Sequence, residues 1–250
     1  MRLFRGRTWL LVVLILGLSA CEGAASGHTS SGVKQSPPAR VTATPDPERC
    51  ARLAKRGFTP CPPTPDKMQL PPTTIRNATN GAINDATAQQ WGRAFQLAQA
   101  YYYWAMQNGA RSALTSGILA DANPNAVTNL FGTDLQDLDA AANVGGKLVY
   151  EPPGIPNTQV VVVPMALQDA MRRQGLTPKG VGVAVRLVGP TRRAIQLADG
   201  GTKPIASADA TYRADVLTWG ELRGDPDLGP IWFEYGYYGC DGSVRSVCQL

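Results

Sequence analysis

At Gly145-Gly146 the apolar pattern of this chain changes its period, and no other feature constrains the fold as much. Upstream the pattern is helical. Trp91, Phe95, Ala98, Tyr102 and Ala105 recur at three- and four-residue steps, Thr87-Ala88-Gln89-Gln90 reads as a capping box, and Asn108-Gly109 is a stop signal. Tyr101-Tyr102-Tyr103-Trp104 surrounds the last turn with rings, which fits a buried central helix better than a pocket wall. Asn123-Pro124 pairs an N-cap with a first-turn proline and opens a further helix through Val127, Leu130 and Phe131. Thr133 is expected to cap another helix with Leu135, Leu138 and Ala142 inward. Asp134, Asp137 and Asp139 near its start then complement the helix dipole.

Downstream the period is that of strands. Lys147–Tyr150, the β-branched run Gln159–Val163, the alternating Val181–Leu187 and Arg193–Leu197 read as strands, with Asp199-Gly200-Gly201 as a turn. Pro164 is expected to open a helix closed by Gly175. Tyr212–Leu222 and Ile231–Tyr238 read as two longer strands joined by a loop over Gly224–Pro230. Helices followed by a run of strands predict an α+β domain, its N-terminal helices packed on a curved, mainly antiparallel sheet.

The first twenty residues carry a different signal. Arg2, Arg5 and Arg7 precede the uncharged stretch Thr8–Ala20, which is shorter than the roughly 20 apolar residues of a membrane span. Leu18-Ser19-Ala20-Cys21 resembles the lipobox of bacterial lipoproteins. The resemblance implies cleavage of a signal peptide over 1–20. It also implies a diacylglyceryl group on the Cys21 sulfur and a further acyl chain such as palmitate on its amine. The protein would then be anchored on the extracytoplasmic face of the cell membrane, since two or more chains give stable attachment. Glu22 is not the aspartate associated with inner-membrane retention, so sorting to an outer membrane is open. Removing the three arginines lowers Lys+Arg from 24 to 21 against 19 acidic residues, and net charge from +5 to +2. So weak a charge does not suggest a nucleic-acid partner.

Residues 21–47 are rich in Ala, Gly, Ser, Thr and Pro and read as a disordered tether. Residues 48–74 form a Cys/Pro-rich segment, and 75–250 a single domain. Besides Cys21, four cysteines remain: Cys50, Cys61, Cys240 and Cys248. Three pairings are possible, of which nearest-neighbour bonding, Cys50–Cys61 and Cys240–Cys248, is the simplest. The spacing suits no zinc site, the single histidine, His28, lies in the tether, and no cofactor motif is present.

By the order of its elements the domain resembles the NTF2-like or cystatin-like α+β domains that follow lipoprotein tethers. Such a cone-shaped fold would set Tyr102 and Trp104 of the long helix against Trp232, Glu234 and Tyr238 of the last strand as an aromatic-lined pocket for a small ligand. The plainer reading of that strand is a core strand with Glu234 solvated at an edge.

Catalytic groups are few. With His28 in the tether no Ser-His-Asp or Cys-His set is available, and Ser31-Gly32-Val33-Lys34 matches S-x-x-K only in a floppy segment. Carboxylates Glu151, Glu221 and Glu234 are what an envelope hydrolase would have to use. A non-catalytic binding or accessory role is the expectation, with a scaffold role in an envelope complex as the alternative. The partners expected are the membrane and a small molecule or an envelope protein.

Overall fold

The computed structural model describes residues 46–151, 158–163, 181–187, 192–205 and 215–239. All of them belong to one compact unit, Ala43–Leu250. The signal segment, Cys21, most of the tether, the helix expected from Pro164, and Cys240 and Cys248 lie outside the described residues. No helix among the described residues is long and apolar enough to cross a membrane.

The folded chain begins with a helix, α1 (Pro47–Lys55), that the sequence pattern did not predict. The Asp46 carboxylate accepts from the amides of Glu48 and Arg49, and Pro47 fills the first turn. A disulfide joins Cys50 to Cys61, with their Cα atoms 5.2 Å apart. Leu53 and Phe58 are fully buried. The Phe58 ring meets Tyr101 edge-on and stacks on Trp104 at 6.0 Å. Gly57 makes this turn possible. Its φ is +88°, and a Cβ there would stand 2.5 Å from the Ser112 carbonyl carbon. The segment 48–74, expected to precede the domain, is therefore part of its core.

Three arginines on one face of α1 hold the far end of the chain. Buried Arg49 donates to the carbonyls of Asp227, Pro62 and Pro63 at 3.0, 2.8 and 2.9 Å. Arg52 meets the Asp227 carboxylate at 2.7 Å, and Arg56 pairs with Asp225. Both aspartates lie at the turn of the last hairpin, where Asp225 also accepts from the amides of Asp227 and Leu228.

The central helix α2 (Asp85–Gln107) starts earlier than the capping-box reading. Asn84 is the cap and accepts from the Thr87 amide at 2.8 Å, consistent with Asn being the stronger N-cap. The helix is buried on most of its faces, from Ala88 to Met106. A short helix, α3 (Arg111–Thr115), follows. Then comes α4 (Pro124–Asn143), capped by Asn123 as expected. It is one helix, not two: Thr133 lies inside it and caps nothing.

Five strands form one sheet in the order β1 (Thr73–Asn77), β3 (Thr158–Val163), β4 (Val181–Leu187), β7 (Asp215–Asp225) and β8 (Gly229–Gly239). β1 runs parallel to β3, and the other pairs are antiparallel. A second, antiparallel sheet contains β2 (Lys147–Glu151), β5 (Arg192–Gln196) and β6 (Thr202–Pro204). The class is α+β, but the single expected sheet is two. The loop expected over Gly224–Pro230 shrinks to a tight turn, because Asp225 pairs with Gly229. α2 lies against β8, β1, β3 and β2, so the core sits between this helix and the sheets.

Candidate functional site

Helix α4 turns a mixed face inward. Phe131, Asp134, Asp137, Leu138 and Ala141 are all buried, at the three- and four-residue steps that share one side of a helix. The two carboxylates meet Arg193 of β5. Its Nη1 stands 2.5 Å from Asp134 Oδ1 and 3.0 Å from Asp137 Oδ2. Asp134 also accepts from the Tyr102 hydroxyl of α2. The Tyr102 ring stacks on Phe131 at 6.2 Å and meets Tyr103 edge-on, and Tyr103 meets Tyr150 of β2 at 5.1 Å. An acid–base pair is thus framed by rings from three elements.

Glu234 of β8 faces the same cluster. Burial, reinforced by the negative charge of Asp134, pushes its carboxyl up to about 8. Burial also raises Asp134, against the opposing pull of Arg193 and Tyr102. Burial disfavours the charge on Arg193, yet Tyr102, Asp134, Tyr150 and Asp137 together hold its guanidinium above the ordinary arginine range. Two carboxylates therefore share one guanidinium, and the third, Glu234, feels the negative charge of Asp134. No hydrogen bond to the Glu234 carboxyl is present among the described residues, and the residue keeps some contact with solvent.

The backbone around Glu234 is fixed on both edges. On one side its amide donates to Leu119 O at 2.9 Å and its carbonyl accepts from the Asp121 amide at 3.1 Å, so Ala120 runs parallel beside it as a strap. On the other side Gly220 of β7 is its register partner. The register slips there: Trp219 pairs with Gly236 and Gly220 with Glu234, leaving Tyr235 as the extra residue of a bulge. The alternation of sides along this strand therefore breaks at Tyr235. Ile231, Trp232 and Phe233 are consecutive and all buried.

Trp232 packs edge-on against Phe95 and is 1% exposed, and its Nε1 has no hydrogen-bond partner among the described residues. The indole lies over Gly220: a Cβ there would stand 2.7 Å from Nε1 and 2.1 Å from Phe233 O. A buried N–H donor thus sits beside the residue opposite Glu234.

The structure brings together only part of the expected pocket. Tyr102 and Glu234 converge on Asp134, and Trp232 stands two residues from Glu234 on the same strand. Trp104 does not join them, since it stacks on Phe58 towards α1. Tyr238 pairs with Leu217 in the backbone ladder, and its side chain lies outside the described part. Glu234 is not a solvated edge carboxylate, because the Leu119–Asp121 strap covers the edge of β8. Glu221 pairs with Arg223 at 2.6 Å, and its register partner is Phe233, so it points away from the Glu234 face. Glu151 ends β2.

Asp134, Asp137 and Arg193 are site residues that the dipole reading missed. The signal was present: Asp134 falls on the period of Phe131, Leu138 and Ala141, the buried face of the helix. Asp139, off that face, is exposed and pairs with Arg111 at 2.7 Å. Among the described residues no group of three His, Cys, Asp or Glu side chains could hold a metal ion. In comparisons with known proteins, no family model, no curated sequence and no solved structure matches this chain.

Proposed function

We propose that this chain is an extracytoplasmic lipoprotein, tethered through Cys21, whose folded domain binds a small ligand without transforming it. One observation carries the binding reading: the Glu234 carboxyl, pushed up to about 8 by its surroundings, has no hydrogen-bond partner among the described residues and keeps some contact with solvent. A largely desolvated carboxyl that no protein group satisfies and that solvent still reaches is a place where a ligand can complete the interaction. Rings from Tyr102 and Phe131 and the Arg193–Asp134 pair supply the apolar walls and fixed polar groups typical of small-molecule sites. The Cys50–Cys61 disulfide fits an oxidising compartment. The NTF2-like or cystatin-like reading is supported by α2 lying on a mainly antiparallel sheet, while the parallel β1–β3 pair and the separate three-stranded sheet depart from a single cone.

Native mass spectrometry of the full chain extracted from membranes tests the binding reading. A mass lost on denaturation and absent from Glu234→Gln supports it; a bare wild-type protein that no small molecule stabilises overturns it. Cys21→Ser tests the anchor separately, because the variant is expected to leave the membrane fraction.

A further inference from the structure

We infer that the ligand completed at Glu234 is an organic cation, an alkyl or aryl ammonium group whose apolar part lies against the Tyr102 and Phe131 rings. The inference rests on the binding reading above and specifies its chemistry.

Three features lead to it independently. The first is charge: Asp134 and Asp137 share Arg193, and Asp134 adds its negative charge at Glu234, so with all three carboxyls ionised the cluster sets three negative charges against one positive. The second is the wall, where the stacked Tyr102 and Phe131 provide the π-faces that attract ammonium groups. The third is the Trp232 indole N–H, which is buried, has no acceptor among the described residues, and lies over the residue opposite Glu234. A neutral Glu234 leaves that donor idle. A cation at Glu234 favours the carboxylate, and the carboxylate can then accept from both the ligand and the indole. One binding event therefore satisfies the acid and the donor together.

Among the described residues the other groups around Glu234 do not supply this charge. Asp134 and Asp137 from α4 are themselves acidic, Tyr102 and Tyr150 are phenols, and the Asp121 carboxylate of the strap accepts from the Asn123 amide. Arg193 is committed to the two aspartates.

The test is calorimetric titration of the full-length protein with benzylamine, using benzyl alcohol as the uncharged counterpart. Repeating it in buffers of different ionisation enthalpy counts protons. Benzylamine is expected to bind and to release about one proton per site at pH 7, because Glu234 gives up its proton when the cation arrives. Benzyl alcohol is expected to bind at least about tenfold more weakly, the difference a desolvated charge pair makes. Glu234→Gln should abolish proton release and reduce benzylamine affinity to that of the alcohol. Trp232→Phe, which keeps an aromatic ring but removes the N–H, should weaken the amine several-fold and leave the alcohol unchanged. Equal binding of amine and alcohol, both lost in Glu234→Gln, overturns the cation while leaving the binding site standing. Binding of neither overturns both readings. Amine binding that persists in Glu234→Gln, or releases no proton, overturns the role of Glu234.

Discussion

Arg52 and Asp227 lie 175 residues apart in sequence and meet at 2.7 Å, with the carboxylate buried and the guanidinium half in solvent. The same carboxylate is reached by Arg56, and Arg49 takes the Asp227 carbonyl. One aspartate at a hairpin turn therefore holds the first helix to the last two strands.

Asp227→Ala removes the carboxylate shared by Arg52 and Arg56, while Arg49 keeps the backbone carbonyl and Arg56 keeps Asp225, and is expected to cost about 1–2 kcal/mol by urea denaturation. Arg52→Ala should cost less than Asp227→Ala, since its charge is largely hydrated. The hydrogen bond from Arg52 holds Asp227 below the ordinary aspartate range. Asp225 also lies below it, because its bonds to Arg56 and the turn amides outweigh its burial. Their contribution is present above an unfolded value near 3.8 and is lost as pH falls through the lower folded values. Acid unfolding of Asp227→Ala should accordingly be less steep below pH 4 than that of the wild type.

Phe58→Ala probes whether the Cys/Pro-rich segment belongs to the core. The ring is fully buried between Tyr101 and Trp104, so its loss is expected to cost about 3–5 kcal/mol. An effect below about 1 kcal/mol would place this segment outside the cooperative unit.

Glu234 imposes the opposite pH dependence from the hairpin aspartates. Its folded value of about 8 lies above its ordinary 4.5, so the folded state binds the extra proton between them. Its contribution is fully present below 4.5 and is lost as pH rises through 8. Urea midpoints at pH 5, 7 and 9 should fall for the wild type and stay flatter for Glu234→Gln, which should be the more stable protein at pH 9. Parallel curves would show that Glu234 titrates as an ordinary carboxyl.

Gly220→Ala forces a methyl group onto Phe233 O and the Trp232 indole. Backbone cannot yield as a side-chain tip can, so the variant is expected to lose about 1–3 kcal/mol and to shift tryptophan fluorescence. Gly224→Ala, with open space around it, serves as the control in the same strand and should be close to wild type.

What could be read beforehand follows from where apolar residues fall. α2 and β2 carry buried faces with regular periods, and β3 and β4 stand out in the sequence as β-branched and alternating runs, which locate them. β6 is exposed at all three residues, and β1 buries none of its five fully. Edge strands of that kind leave no apolar alternation to detect. α1 is mostly polar because one face is made of arginines whose partners lie far along the chain. At the site, Tyr102 and Glu234 were visible as a ring and a carboxyl among aromatics. The Arg193–Asp134 pair, 59 residues apart, was not, because ion pairing between elements has no period.

The grip of α1 on the β7–β8 turn also sets an order of events in time. Arg52 and Arg56 cannot find their carboxylates, nor Arg49 its third carbonyl, until residues 225 to 227 have been synthesised, and the strand bearing Glu234 follows directly after that turn. Closing so long a loop is slow, and its entropy must be lost before any contact compensates. The ribosome must therefore finish most of the chain before its first helix can settle. Until then the nascent protein remains a substrate for chaperones and proteases, and the surroundings of Glu234 are among the last of the described parts to form.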